Sequence, residues 1–241
     1  MASSITRVFM VRHGATVLTA EDRFAGATDV ELSDAGREQT RRLSQRLGKE
    51  KIVAVYTSPL KRTVETARLL AEPHRLAVQT RDGLREISHG RWEQMTRQEV
   101  EQAYPDEAAE WEKDPYTFAP EGGKSGLAVT ARALPVLIEL VRAHPGENFL
   151  VVSHKATIRL LLSSLLGFDA RRYRDSLDLS PASLNIVDFK DHTRARLSLF
   201  NDTSHYAELG NAIPEVPAAR LSKSWNTEAK ARVEAGPPPS R

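Results

Sequence analysis

The chain contains no cysteine among its 241 residues, which excludes disulfide staples and thiolate chemistry alike. It has no apolar run near the length of a bilayer-spanning helix, and Met1 to Ser4 lead into a strand-like run without the apolar core of a signal peptide. Net charge is almost absent as well: 34 Lys and Arg oppose 32 Asp and Glu, for a formal +2. A nucleic-acid binder relying on a broad basic field is thereby disfavoured, so any anion specificity must come from local clusters. Internal repeats are missing, as is a compact group of side chains at metal-ligand spacing. These absences lead to the expectation of a soluble cytoplasmic protein with no nucleic-acid partner, no membrane partner and no cofactor. At this length one domain can bury a sizeable core unaided.

What is present is an alternation of apolar strands and amphipathic helices. Ile5 to Val11 reads as a buried strand that delivers Arg12 and His13 at its carboxyl end before Gly14 breaks it. Ser33 is placed to cap a helix ending near Gly48, and Ile52 to Tyr56 is a second strand. Ser58 as cap and Pro59 at the first helical position then predict a helix with Arg62 in its first turn. Residues 76–80 suggest a third strand, followed by a loop dense in ionisable groups from Gly83 to Glu93. Short polar helices with aromatic anchors Tyr104, Trp111 and Tyr116 fill residues 96–118. Ser125 caps a long helix to about Ala143, with Leu127, Ala131, Leu134, Ile138 and Val141 expected on its inner side. Asn148 to Ser153 is an apolar strand running through His154 into a helix closed by Gly167, and residues 183–189 and 196–200 can form a hairpin.

Strands alternating with helices predict a mainly parallel sheet covered on both faces, a three-layer α/β/α sandwich. Arg12 and His13, Arg62, and His154 then fall on one edge of that sheet from three separate strand-to-helix junctions. Two arginines there would neutralise a phosphate dianion, and His13 in line with the leaving oxygen could attack phosphorus to give a phosphohistidine. His154 would stabilise charge on the equatorial oxygens. The mechanism also needs a proton donor for the leaving alkoxide and later a base for water, for which Glu86 is the best candidate.

The residues that carry this chemistry also carry a resemblance. Arg12-His13-Gly14-Ala15-Thr16, Arg23-Phe24-Ala25-Gly26 with Leu32 to Gly36, Ser58 to Thr63, Leu84-Arg85-Glu86 with Gly90 to Glu93, and Val152-Ser153-His154 follow one another in the order seen in the histidine phosphatase superfamily. The match resembles its phosphoglycerate mutase-like branch and covers about residues 5–190. It implies His13 as the phosphorylated nucleophile, Arg12, Arg62 and His154 as the phosphate pocket, Glu86 as proton donor, and Gly26 among the substrate-binding positions. It further implies a small phosphorylated metabolite as partner, no metal, and a monomer or homodimer.

Three positions depart from that pattern. Thr19 falls where many members carry an asparagine on the phosphate, so that contact is weaker or differently made. Lys124 stands in the usual Gly-Glu-Ser turn, and Lys155 replaces a glycine that often follows the second histidine. Both lysines add positive charge near the presumed cleft, and Lys155 is the better candidate for gripping a second anionic group. Residues 1–225 read as a single catalytic domain with a cap segment at about 90–124, and residues 226–241 as a disordered tail. The modest segment between Ile87 and Ser153 favours water entry, hence a metal-independent phosphomonoesterase. The alternatives are a cofactor-dependent phosphoglycerate mutase and a module that binds a phosphorylated ligand without turnover.

Overall fold

A computed structural model describes residues 5–207; the expected boundary at 225 and the expected tail 226–241 lie outside the described residues. In chain order the elements are β1 (Thr6–Arg12), α1 (Val17–Ala20), α2 (Asp34–Leu47), β2 (Ile52–Thr57), α3 (Lys61–Ala71), β3 (Val78–Thr80), α4 (Arg97–Ala103), α5 (Pro105–Lys113), α6 (Gly126–Ala143), β4 (Asn148–Ser153), α7 (Lys155–Leu166), α8 (Tyr173–Ser176), β5 (Leu184–Asp191) and β6 (Arg194–Asp202). The six strands form one sheet in the order β3-β2-β4-β1-β5-β6. The first four are parallel, and the β5–β6 hairpin adds an antiparallel edge. Among the described residues no helix is long and apolar enough to cross a membrane.

Alternation along the strands builds the three layers, because successive side chains leave a strand on opposite faces. Val8, Met10, Phe149 and Val151 pack with Leu137, Leu140, Ile158 and Leu161 from α6 and α7. Their neighbours Phe9, Val11, Leu150 and Val152 pack on the other face with Leu43, Leu47, Ala67 and Leu70 from α2 and α3. Each such aliphatic side chain contributes about 1.5–3 kcal/mol on burial, so the two half-cores hold the parallel strands in register. A third cluster of Phe24, Trp92, Val100 and Trp111 sits under α4 and α5. Arg174 from α8 stacks on Trp111, 3.6 Å from the ring centroid, and ties that segment to the main body.

Two local expectations need correction. The helix expected from Pro59 begins at Lys61, with Leu60 as a cap residue that makes no side-chain cap bond. Asp29 from a distant loop accepts the Lys61 N–H instead (2.7 Å), while the Ser58 hydroxyl is engaged by His154. In α6 the buried stripe is Gly126, Val129, Ala133, Leu137, Leu140 and Val141, about one position from the expected one, and Leu127 is half exposed. The helix is apolar almost all round, so periodicity alone could not set its rotation.

Close packing of backbone against backbone fixes the loop after β1. A methyl group on Gly14 would lie 2.5 Å from the Gly36 carbonyl oxygen, and one on Gly36 would fall on the Ala15 carbonyl oxygen. Gly-to-Ala inside a helix ordinarily gains about 0.5–1 kcal/mol. Here the overlap is with main chain and reverses the sign. Gly36→Ala should cost about 1–3 kcal/mol, the usual range for overpacking, and should lower the melting temperature by roughly 2–4 °C for each kcal/mol lost. Thermal unfolding followed by circular dichroism checks this.

Candidate active site

The site lies where the chain leaves adjacent parallel strands toward opposite faces of the sheet. β1 leads to α2 on one face and its neighbour β4 leads to α7 on the other, which opens a crevice at their carboxyl ends. Register levels the strand ends: Arg12 pairs with Ser153, and Thr57 with Val152. The ladder continues one residue further on both sides. His13 N–H donates to the Ser153 carbonyl and Ser58 N–H to the Val152 carbonyl, each at 3.1 Å.

His13 and His154 therefore face each other, with ring centroids 5.3 Å apart and the rings edge to face. His13 is buried, and its Nδ1–H donates to the Gly14 carbonyl at 2.7 Å. Because a carbonyl only accepts, the proton of the neutral ring is held on Nδ1 and the lone pair sits on Nε2. Burial, then the charges of Arg62 and Arg12, hold this imidazole well below its usual pKa. The same causes act on His154, with burial first and Arg62 second; its Nε2 shares a 2.8 Å hydrogen bond with the Ser58 hydroxyl.

Both flanking arginines are buried, and among the described residues neither has a carboxylate ion-pair partner. Arg12 donates from Nη1 to the Leu179 carbonyl at 2.5 Å, its Nε is buried and unpartnered, and desolvation pulls its pKa down to about 10. Arg62 is completely buried and donates to the carbonyls of Thr28 (2.7 Å) and Gly26 (2.8 Å), with its Nε likewise unpartnered. Glu86 lies in an extended link beyond β3. It is not at a strand end, and α7 holds it: Ala156 N–H, Thr157 N–H and the Thr157 hydroxyl donate to its carboxylate at 3.1, 3.2 and 3.1 Å. Its charge is felt at both Arg12 and Arg62. The structure thus brings together all five residues expected to carry the chemistry.

The remaining candidates divide. Gly26 has φ +47°, and its carbonyl orients Arg62; a side chain there would run into Glu93. Thr19 is engaged locally, its hydroxyl 2.9 Å from that of Thr16 in a capping box at the start of α1. Lys155 begins α7 directly after His154 and reaches to 3.5 Å from Asp178, whereas Lys124 is exposed. Arg171 pairs with Asp169, and Arg174 is buried against Trp111.

Sequence reasoning missed the supports. Arg132 donates from α6 to the carbonyls of Gly83 (2.6 Å) and Glu86 (3.0 Å) and so fixes the link that carries Glu86. Its signal was legible, since it is the one charge between Gly126 and Ile138. Glu93 accepts from Ala27 N–H, the Thr28 and Ser88 hydroxyls and His89 N–H, joining the loop that holds Arg62 to the cap segment. His89 packs on Phe24, and burial lowers its pKa to about 4.

Comparison with known proteins gives the chain its relatives. The family model described as histidine phosphatase superfamily (branch 1) matches residues 8–203. A phosphoserine phosphatase 1 of Hydrogenobacter thermophilus is 32% identical over 204 residues, 85% of this chain and 96% of that protein. A glucosyl-3-phosphoglycerate phosphatase of Mycolicibacterium vanbaalenii is 33% identical over 198 residues, covering 79% of this chain and 87% of its own. The solved structure of a mycobacterial glucosyl-3-phosphoglycerate phosphatase superposes with a TM-score of 0.74 at 30% identity, over 82% of this chain and 99% of that one.

Three imidazoles kept neutral by the fold make stability depend on pH. In the unfolded chain they take up protons near pH 6.5, and in the folded chain only at lower pH, so acid favours unfolding. Stability is complete above 6.5 and should fall below it by up to about 1.4 kcal/mol per pH unit for each excluded ring. Urea unfolding at pH 7.5, 6.5 and 5.5 should show the decline, with a shallower slope in His89→Gln.

Proposed function

The chain belongs to branch 1 of the histidine phosphatase superfamily, and on that premise we propose that it hydrolyses a small phosphorylated metabolite through a phosphohistidine on His13. One observation carries the reading: a neutral imidazole, with its Nε2 lone pair available, lies within the fields of two buried guanidiniums that have no carboxylate ion-pair partner among the described residues. Burying cations unpaired is costly. A phosphate dianion supplies the missing charge and sits against the nucleophile.

Arg12 and Arg62 bind the phosphoryl oxygens, and His154 donates to the charge that develops on them. His13 Nε2 attacks phosphorus as the ester oxygen leaves, and Glu86 transfers its proton to that oxygen. Water then attacks the phosphohistidine, giving its proton to Glu86 and restoring the imidazole. Arginines and histidines supply the electrostatic stabilisation, so no step calls for a metal. Every group belongs to one chain, and a monomer is sufficient. The relatives' names, phosphoserine phosphatase and glucosyl-3-phosphoglycerate phosphatase, support a small organic phosphate as substrate.

Phosphate release from a panel of small phosphomonoesters should persist in chelator and fall by roughly 10³-fold or more in His13→Ala. Glu86→Gln should slow an alkyl phosphate by about 10²-fold or more while an aryl phosphate, whose leaving group needs no proton, loses far less. Equal losses on both esters would assign Glu86 to binding. Conversion of 3-phosphoglycerate to its isomer without phosphate release would make the protein a mutase.

A further inference from the structure

Beside the phosphate position lies a second charge imbalance that the reaction does not use. Lys155 and Arg159 stand one turn apart on α7, and both reach the same oxygen of Asp178, Lys155 Nζ at 3.5 Å and Arg159 Nη2 at 3.1 Å. Arg159 is buried, with an unpartnered Nε. That Asp178 oxygen also accepts the Leu179 N–H at 2.8 Å, and the Leu179 carbonyl is the one that receives Arg12. Three cations, Arg12, Lys155 and Arg159, therefore crowd around one carboxylate.

We propose that Lys155 and Arg159 form a second anion subsite next to the Arg12–His13 phosphate position, occupied in the empty protein by Asp178, and that its ligand is a carboxylate on the substrate. The proposal rests on the phosphatase reading above and names the substrate class for that site. Lys155 and Arg159 bring two positive charges to the single negative charge of Asp178, which leaves one positive charge uncompensated in the subsite. One carboxylate balances it. Lys155 follows His154 directly, so the subsite suits an acid group a short chain away from the ester.

The charge state of Lys155 adds a pH signature. The groups facing it are Arg159 on its own helix, Arg12 from β1 and Asp178 from the link before β5; burial and the two guanidiniums bring it down to about 7 against the pull of Asp178. Arg159 stays charged, its pKa about 10, and Asp178 stays ionised because Lys155 and Arg159 outweigh its desolvation.

The test compares 3-phosphoglycerate with glycerol 3-phosphate, which differ by a carboxylate in place of a hydroxymethyl group, as the ratio of their kcat/KM values. The wild-type ratio should favour the acid and decline between pH 6.5 and 8.5 as Lys155 loses its proton. Lys155→Met should lower the ratio by about tenfold or more, the size expected for a charge-assisted hydrogen bond. Lys155→Arg should retain the preference and abolish its pH dependence, because arginine does not titrate in this range. Asp178→Asn, which keeps an acceptor for Leu179 N–H, should raise the ratio by removing the competing anion. A wild-type ratio near one, or a ratio unmoved by Lys155→Met, overturns the subsite while leaving the phosphatase intact. No phosphate release from either ester or from an aryl phosphate overturns the phosphatase reading, and the subsite with it.

Discussion

The hydrogen bonding of β4 to both β1 and β2 in parallel register is the constraint from which the site follows. One slip along that ladder would turn each inward side chain to the opposite face and carry Ser153 out of line with Arg12. Because the half-cores on the two faces demand different side chains, the register is strongly specified. The last ladder bonds, from His13 to Ser153 and from Ser58 to Val152, then extend that precision into the loops that bear the histidines.

Electrostatics on that edge are deliberately unbalanced. Desolvation works against every cation in the crevice, and it keeps His13 and His154 neutral. The energy that holds these groups in place comes from packing and from backbone carbonyls: Leu179 for Arg12, Thr28 and Gly26 for Arg62. Carbonyls orient a guanidinium without cancelling its charge. Among the described residues Arg12 and Arg62 meet no carboxylate at ion-pair distance, so an arriving anion would supply their first full counter-charge.

The supports are spread along the chain more widely than the reacting groups. Arg132 and the first turn of α7 hold Glu86 from two directions, by its backbone and by its carboxylate. Glu93 binds the loop under Arg62 to the cap segment, so a change in the cap can reach Arg62 through one carboxylate. Asp178 links Arg12, Lys155 and Arg159 through a single residue step.

By itself the sequence determined the strand-and-helix alternation, the three-layer class and the junctions that carry Arg12, His13, Arg62 and His154. Those signals are local: apolar runs, capping residues such as Ser33 and Ser125, and Gly167 closing α7 are each read within a few positions. Tertiary structure alone decided the rest. Ser58 was legible as a cap and became the partner of His154; the α3 cap came from Asp29, more than thirty residues away. The rotation of α6, the anchoring of Glu86 by α7 and the sharing of Asp178 depend on which helix lies against which strand. That is a matter of long-range packing and of where buried polar groups find partners, and no short window of residues contains it.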